Sequence, residues 1–358
     1  MAVAGRLTPP EWVKYADPAT ELDVTRLTDP KFASGIAPAH LRKFGRRSDF
    51  LIYWSERLGT RQICHLDLKN GESRQVSGVS SLDTSTISLA ADERTVTFFH
   101  GGTLTEISGG TGSAHVLYKL PEGTTRAGFT QSVDGSIFFA QQREPGKSQI
   151  MRAARLKTAP FLQVDGDVDA LMVRPRRAQL VYRANGVWWL LNTDGSNIRK
   201  QLRLEADKAE SGKDGQVLWT PSGRTLVYLH IPADPKQLIV LREQTPDDGL
   251  DRILARTSQF EAFGPNADAS VFTGASRSKA SSYVLLLLRV TKRELTICEH
   301  RASDPAMVAP TFSPDSKTIY FVSDRHGKPA LYRIPVDKFV EETGETAGTE
   351  KSNSGLMQ

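Results

Sequence analysis

Cysteine is scarce in this chain: the 358 residues include two, Cys64 and Cys298, far apart and in no CxxC or Cys/His spacing. That excludes a zinc cluster and a disulfide framework. Long apolar runs are missing too, since the longest covers 283–288, far short of the ~18 residues that a membrane helix needs. The expectation is a soluble chain with no membrane partner. Residues 1–15 lack a basic segment followed by an apolar one, so no address is legible, and a cytoplasmic, periplasmic or secreted origin stays open. Charge of one sign is not concentrated: 46 Lys and Arg face 41 Asp and Glu, a net +5 spread along the sequence, which argues against a nucleic-acid partner. Helical periodicity is also lacking. Nowhere between residues 22 and 336 do apolar residues recur at i, i+3, i+4 and i+7 over three turns.

What is present is strand. Short β-branched and aromatic runs recur at 50–54, 95–99, 136–140, 179–183, 225–229, 270–274 and 318–322. Each follows a polar turn in which an equivalent residue can be marked: Arg47, Asp92, Asp134, Arg176, Ser222, Asp268 and Asp315. The successive spacings are 45, 42, 42, 46, 46 and 47 residues. A steady period of ~40 to 50 residues with several strands per repeat predicts an all-β fold, a seven-bladed β-propeller with four-stranded blades. The last copy is one strand short, whereas Asp23-Val-Thr-Arg-Leu-Thr28 precedes the first copy as a surplus strand. The N-terminal strand should therefore complete the last blade and close the ring, which removes an exposed sheet edge. The expected organisation is one domain over 20–337 and a polar tail over 338–358 that does not pack.

The last repeat, beginning Phe312-Ser-Pro-Asp-Ser-Lys-Thr-Ile-Tyr-Phe-Val322, resembles the repeat of TolB-type propellers. A narrower resemblance runs through Val24-Thr-Arg-Leu-Thr28, Trp189-Leu-Leu-Asn-Thr-Asp-Gly-Ser-Asn-Ile-Arg-Lys200, Val217-Leu-Trp-Thr-Pro-Ser-Gly-Arg-Thr-Leu-Val-Tyr228 and the segment 312–332. These look like oligogalacturonate lyase, a family that splits short pectin fragments by β-elimination. The resemblance implies a divalent metal, typically manganese, held by His residues and a Gln, with an Arg as base. Such chemistry needs a cation to neutralise the uronate carboxylate while the base removes the adjacent proton.

Carried over position by position, the resemblance puts Gln216 at a His ligand place, Asp304 at the place of the ligand Gln, Met307 and Ala309 at two further His places, and Gln149 at the place of the base, with Arg152 as the base in a shifted register. Three imidazoles are thus replaced, and no cofactor is expected unless lyase activity is retained, in which case the metal is manganese. The reading is a lyase-like propeller with a degenerate cleaving site that binds an acidic oligosaccharide in its central pocket. The alternative is a noncatalytic TolB-like propeller that binds a protein partner.

Other candidates carry less. The seven histidines, His40, His65, His100, His115, His230, His300 and His326, include no pair at metal-ligand spacing. Trp54, Trp188, Trp189 and Trp219 either stack on sugar rings or fill the space between blades. Lys43, Arg46 and Arg47, with Arg174, Arg176 and Arg177, either bind carboxylates at one face or form a solvated rim.

Overall fold

The computed structural model describes residues 5–155, 157–194, 196, 199–204, 212–257, 259–278 and 280–340. Its strands form seven antiparallel sheets, each built from consecutive hairpins. Blades 2 to 6 have four strands each. Their innermost strands are Leu82–Leu89, Thr125–Gln131, Val168–Val173, Gly212–Trp219 and Phe260–Pro265. Innermost strands of neighbouring blades contact one another around the central channel, as 125–131 does with both 82–89 and 168–173.

Local chemistry explains the repeat. Each innermost strand ends in a tight turn that reverses the chain into the second strand, and the turn requires a residue in the left-handed region. Ser48, Glu93, Gly135, Gly223, Ala269 and Ser316 fill that place, each one position after the residue marked in the sequence. In blade 4 the marked Arg176 itself is left-handed, and the turn still closes through Arg177 N–H on the Arg174 carbonyl. Asp92, Asp134, Asp268 and Asp315 accept backbone N–H groups within their own turns, which accounts for the recurring acidic residue.

The apolar core lies between blades rather than at the centre. Six clusters of buried side chains fill successive interblade spaces, among them Phe99, Phe129 and Phe139 between blades 2 and 3, and Phe260, Phe263 and Phe272 between blades 5 and 6. Second and third strands, buried on both faces, supply most of these residues, so their near-continuous apolar runs follow from position in the sheet.

Ring closure occurs as the surplus strand foretold. Asp23–Arg26 pairs with Ala330–Pro335, aligning Thr25 with Arg333 and Arg26 with Tyr332. Two strands ahead of residue 20 extend the closure. Val13–Ala16 lies outside Asp23–Arg26 as a fifth strand of blade 7, and Leu7–Thr8 lies outside Ser73–Gln75 as a fifth strand of blade 1. Trp12, between them, packs under the Arg333 guanidinium at 4.2 Å. At the other end, Phe339 and Val340 pack against the core of blade 7; the rest of the tail, 341–358, lies outside the described residues. Among the described residues no helix is long and apolar enough to cross a membrane.

Candidate functional site

Six successive innermost strands share one irregularity. Near its start each carries more residues than its partner strand, so the surplus is pushed out of the ladder. In blade 3 Gly128 is the extra residue, in blade 4 Asp169, and in blade 6 Glu261. In blade 5 Gly215 and Gln216 face Leu229, and in blade 2 residues 84–87 face Phe98. Bulges of this kind re-aim side chains and are common beside functional sites. Here they form a belt around one mouth of the channel.

Blade 1 carries the largest excursion. Ser34 and Gly35 pair with Ser55 and Trp54, pairing resumes only at Phe44 opposite Leu51, and the chain between, 36–43, leaves the sheet. Ala37 and Leu41 bury themselves among blades 1 to 3, Ala39 packs against the core of blades 5 and 6, and His40 Nε2 lies 3.0 Å from the Phe129 carbonyl of blade 3. A segment that touches blades 1, 3 and 5 must cross the lumen, so it plugs the channel. Its tip is a turn closed by the Leu41 N–H on the Pro38 carbonyl, and the same carbonyl accepts Lys43 Nζ at 2.9 Å.

The plug and the belt together enclose a pocket of about 400 Å³, within the range of small-molecule sites. Pro38 and His40 line it from the plug, and Ser85, Gly128, Asp169 and Gly215 from the bulges. Gly128 shows why the bulge needs its residue. Its φ is +58° and an added Cβ would stand 2.9 Å from Leu171 Cβ, so a larger residue would strain the backbone and push blade 4 away.

Two guanidinium groups line the pocket and each is fixed by carboxylates. Arg126 reaches Asp83 across the blade 2–3 gap, with Nε 3.2 Å from Oδ2, and also donates to the Gly128 carbonyl and Ser85 Oγ at 2.9 and 3.1 Å. Burial raises the Asp83 carboxyl, but the Ser85 hydrogen bond and the Arg126 charge outweigh it and hold the group below the usual range. Arg183 donates to both Asp169 and Asp214 at 2.8 Å, and Trp188 Nε1 donates to the same Asp214 oxygen at 3.0 Å. Each fork keeps its orientation without spending every N–H, an arrangement suited to recognising carboxylates and hydroxyls.

His40 is exposed, and it lines the pocket; protein nonetheless surrounds it, and this desolvation lowers its pKa to about 4. Lys43, 3% exposed beneath it, is pushed down to about 7 by burial.

The positions named from sequence resemblance fall elsewhere. Gln216 is in the blade 5 bulge, where its Oε1 accepts the Phe263 N–H of blade 6 at 2.8 Å. Asp304 caps the short 3₁₀ turn Pro305–Met307 by accepting the Ala306 N–H at 3.0 Å. Met307 packs against the core between blades 7 and 1. Gln149 lies on a third strand in blade 3, in a chain of amides from Gln141 through Gln149 to Gln163 that lines a separate groove of about 300 Å³. Arg152 donates to Ser136 Oγ at 3.0 Å and to the Thr193 carbonyl at 3.3 Å, joining blades 3 and 4. Among the described residues no three of His, Cys, Asp and Glu come together in a metal-ligating group. The donors at hand do not fit the manganese site that the resemblance implies.

Of the four tryptophans Trp188 lines the pocket, while Trp54 packs in the core of blades 1 to 3 with Arg61 over its ring, and Trp219 is buried under Arg174. The basic clusters are not simply a solvated rim. Lys43 and Arg174 are buried, and Arg174 is held bidentately by Asp247 at 2.9 Å. Arg126, Asp169, Arg183 and Asp214 escaped the sequence reading, and His40 appeared there only as one of seven histidines, since nothing in their local patterns separates them from turn and strand residues; Gly128 and Gly215, ahead of the turns at Asp134 and Ser222, were the available hint of bulges.

Fold and pocket together define a closed seven-bladed β-propeller with a plugged channel. The chain resembles oligogalacturonate lyases in sequence and in architecture. It is 26% identical over 168 residues to the oligogalacturonide lyase of Pectobacterium atrosepticum and 24% identical over 168 residues to the oligogalacturonate lyase of Dickeya dadantii. Each match spans 41% of this chain and 42% of the relative's length. No family model matches the chain. The whole ring superposes on an oligogalacturonate lyase in complex with manganese, with a TM-score of 0.85 at 21% identity, covering 93% of this chain and 98% of the other. The oligogalacturonate lyase of Vibrio parahaemolyticus gives 0.84 at 18% identity over the same shares.

Proposed function

We propose that this protein binds a short uronate oligosaccharide in the plugged pocket and does not cleave it by the manganese-dependent elimination of the lyases it resembles. The observation that carries the reading is the pocket itself: two guanidinium forks, a buried indole and carboxylate oxygens converge at the mouth of a ring like that of the lyases. Guanidinium forks recognise carboxylates, Asp169 can accept hydroxyls, and apolar surface from Phe129 and Val217 suits the faces of a pyranose. The donor set supports the second half. Gln216 Oε1 and the Asp304 carboxylate are occupied by backbone N–H groups, and a metal deprived of its imidazoles would have to displace both.

The test is calorimetric titration with di- and trigalacturonate, run beside an absorbance assay for unsaturated product with manganese and with a chelator. Saturable binding without chelator-sensitive turnover is the expected result. Turnover that the chelator abolishes would overturn the noncleaving part, and absence of binding would overturn the whole reading and turn the search to a protein partner.

A further inference from the structure

The plug is more than a stopper. Its tip residue His40 is aimed into the pocket by a single hydrogen bond, and the partner of that bond decides its chemistry. The Phe129 carbonyl can only accept, so in the neutral ring Nε2 must carry the proton and Nδ1 must carry the lone pair. Among the described residues nothing else bonds the ring, and His40 is exposed where it lines the cavity. That carbonyl follows directly on the bulge: Gly128 is the residue left out of the blade 3 ladder, and Phe129, beside it, pairs with Phe139. Burial and the nearby Lys43 keep the ring uncharged through the neutral range.

The other polar side chains lining the cavity are donors or are already engaged: Arg126 and Arg183 bring N–H groups, Asp169 holds Arg183, Ser85 Oγ donates to Asp83 and accepts from Arg126, and Trp188 Nε1 donates to Asp214. A uronate sugar presents both kinds of group, carboxylates that need donors and hydroxyls that need an acceptor. The pocket offers guanidinium donors and, on the plug, a neutral acceptor with no partner among the described residues.

We propose that His40 Nδ1, on the plug, is the acceptor in this pocket that takes a hydrogen bond from a hydroxyl of the bound uronate, while Arg126 and Arg183 face its carboxylates. The excursion 36–43 is then part of the ligand site, and its tip selects for a hydroxyl donor over an ether or a methylated sugar at that place. This assignment rests on the oligouronate reading above.

The experiment compares wild-type protein with His40→Ala by calorimetry against digalacturonate, and follows the His40 imidazole nitrogens by NMR in wild-type protein. The loss of one neutral hydrogen bond predicts binding weaker by about 3- to 10-fold in H40A. In the wild type, digalacturonate should shift the Nδ1 resonance of a ring that stays in the Nε2–H tautomer. This second readout does not depend on the variant folding. If the wild type binds digalacturonate but the Nδ1 resonance does not move and H40A binds equally well, the assignment is overturned while the oligouronate reading stands. If the wild type does not bind, that reading fails and this assignment with it.

Discussion

The belt of bulged residues at the channel mouth divides into two arcs that use the same backbone irregularity differently. On the arc from blade 1 to blade 4 the extruded residues turn inward and leave polar atoms facing a cavity: His40 keeps a free lone pair, and Asp169 holds Arg183 in place. On the arc from blade 5 to blade 7 the extruded or equivalent residues find partners in the protein. Gln216 ties blade 5 to blade 6, Glu261 takes the Arg277 Nε at 2.9 Å, and Asp304 caps its own turn. A bulge creates a side chain without a ladder neighbour; whether it becomes a site depends on whether the protein satisfies that side chain. The first arc should therefore contain groups that cost stability and support binding, and the second groups that do the reverse.

Lys43 is the sharpest case on the first arc. Its ammonium is desolvated and donates to one carbonyl oxygen, and among the described residues no carboxylate pairs with it. Its folded pKa of about 7 lies below the ordinary lysine value, so between pH 7 and 9 the unfolded chain binds more protons than the folded one. Stability should then rise with pH across that window. Above pH 9 the trend reverses, since burial raises the Cys64 thiol and the Tyr53 phenol in the folded state while both ionise in the unfolded chain. Lys43→Met removes the buried amine and keeps the volume, so at pH 7 it should stabilise the fold by about 3 kcal/mol, as an order of magnitude, and flatten the rise. Urea denaturation of both proteins at pH 7, 8 and 9 checks this. A destabilised variant would mean that the plug is held by its charge, and the contrast between the arcs would fail.

Arg183 comes next. It is the shared partner of Asp169 and Asp214, and Asp214 is only 13% exposed. Arg183→Met should cost about 2 kcal/mol by leaving Asp214 with the Trp188 indole as its partner, a partly buried case of a broken ion pair. It should also weaken digalacturonate binding by about 100-fold, because the lost fork is a charged donor at the cavity. Denaturation and calorimetry on the same preparation separate the two effects. Unchanged binding in a folded variant would move the carboxylate contact to Arg126.

How much of this could be read from the sequence follows from the range of each interaction. The turns and strands are local: Ser313-Pro314-Asp315 followed by alternating apolar residues specifies a reversal and a buried strand within a few residues. The ring and its closure follow from counting those units. The pocket was not legible, because its residues come from four blades and the plug and converge only through bulges. A bulge adds one residue to a strand without changing its composition, and Asp169 in Val168–Val173 looks like any polar strand position. The residues inherited from the resemblance, Gln216 and Asp304, were legible as positions but not as partners, since the N–H groups that engage them belong to backbone whose course the side-chain pattern does not encode.

The smallest effect tests the second arc. If Asp304 is only a cap, Asp304→Ala should cost about 1 kcal/mol, the usual worth of an N-terminal capping oxygen, and digalacturonate affinity should not change. Manganese should then leave the melting temperature of wild type and variant equally unaffected, because a ligand raises stability only when it binds the folded state better than the unfolded one. Thermal melts with and without manganese, on both proteins, give the answer in one experiment. A manganese-dependent rise in the wild type that Asp304→Ala removes would show that the cap oxygen can be recruited from its backbone partner, and the second arc would then be a metal arc whose ligands are held in reserve by the protein's own N–H groups.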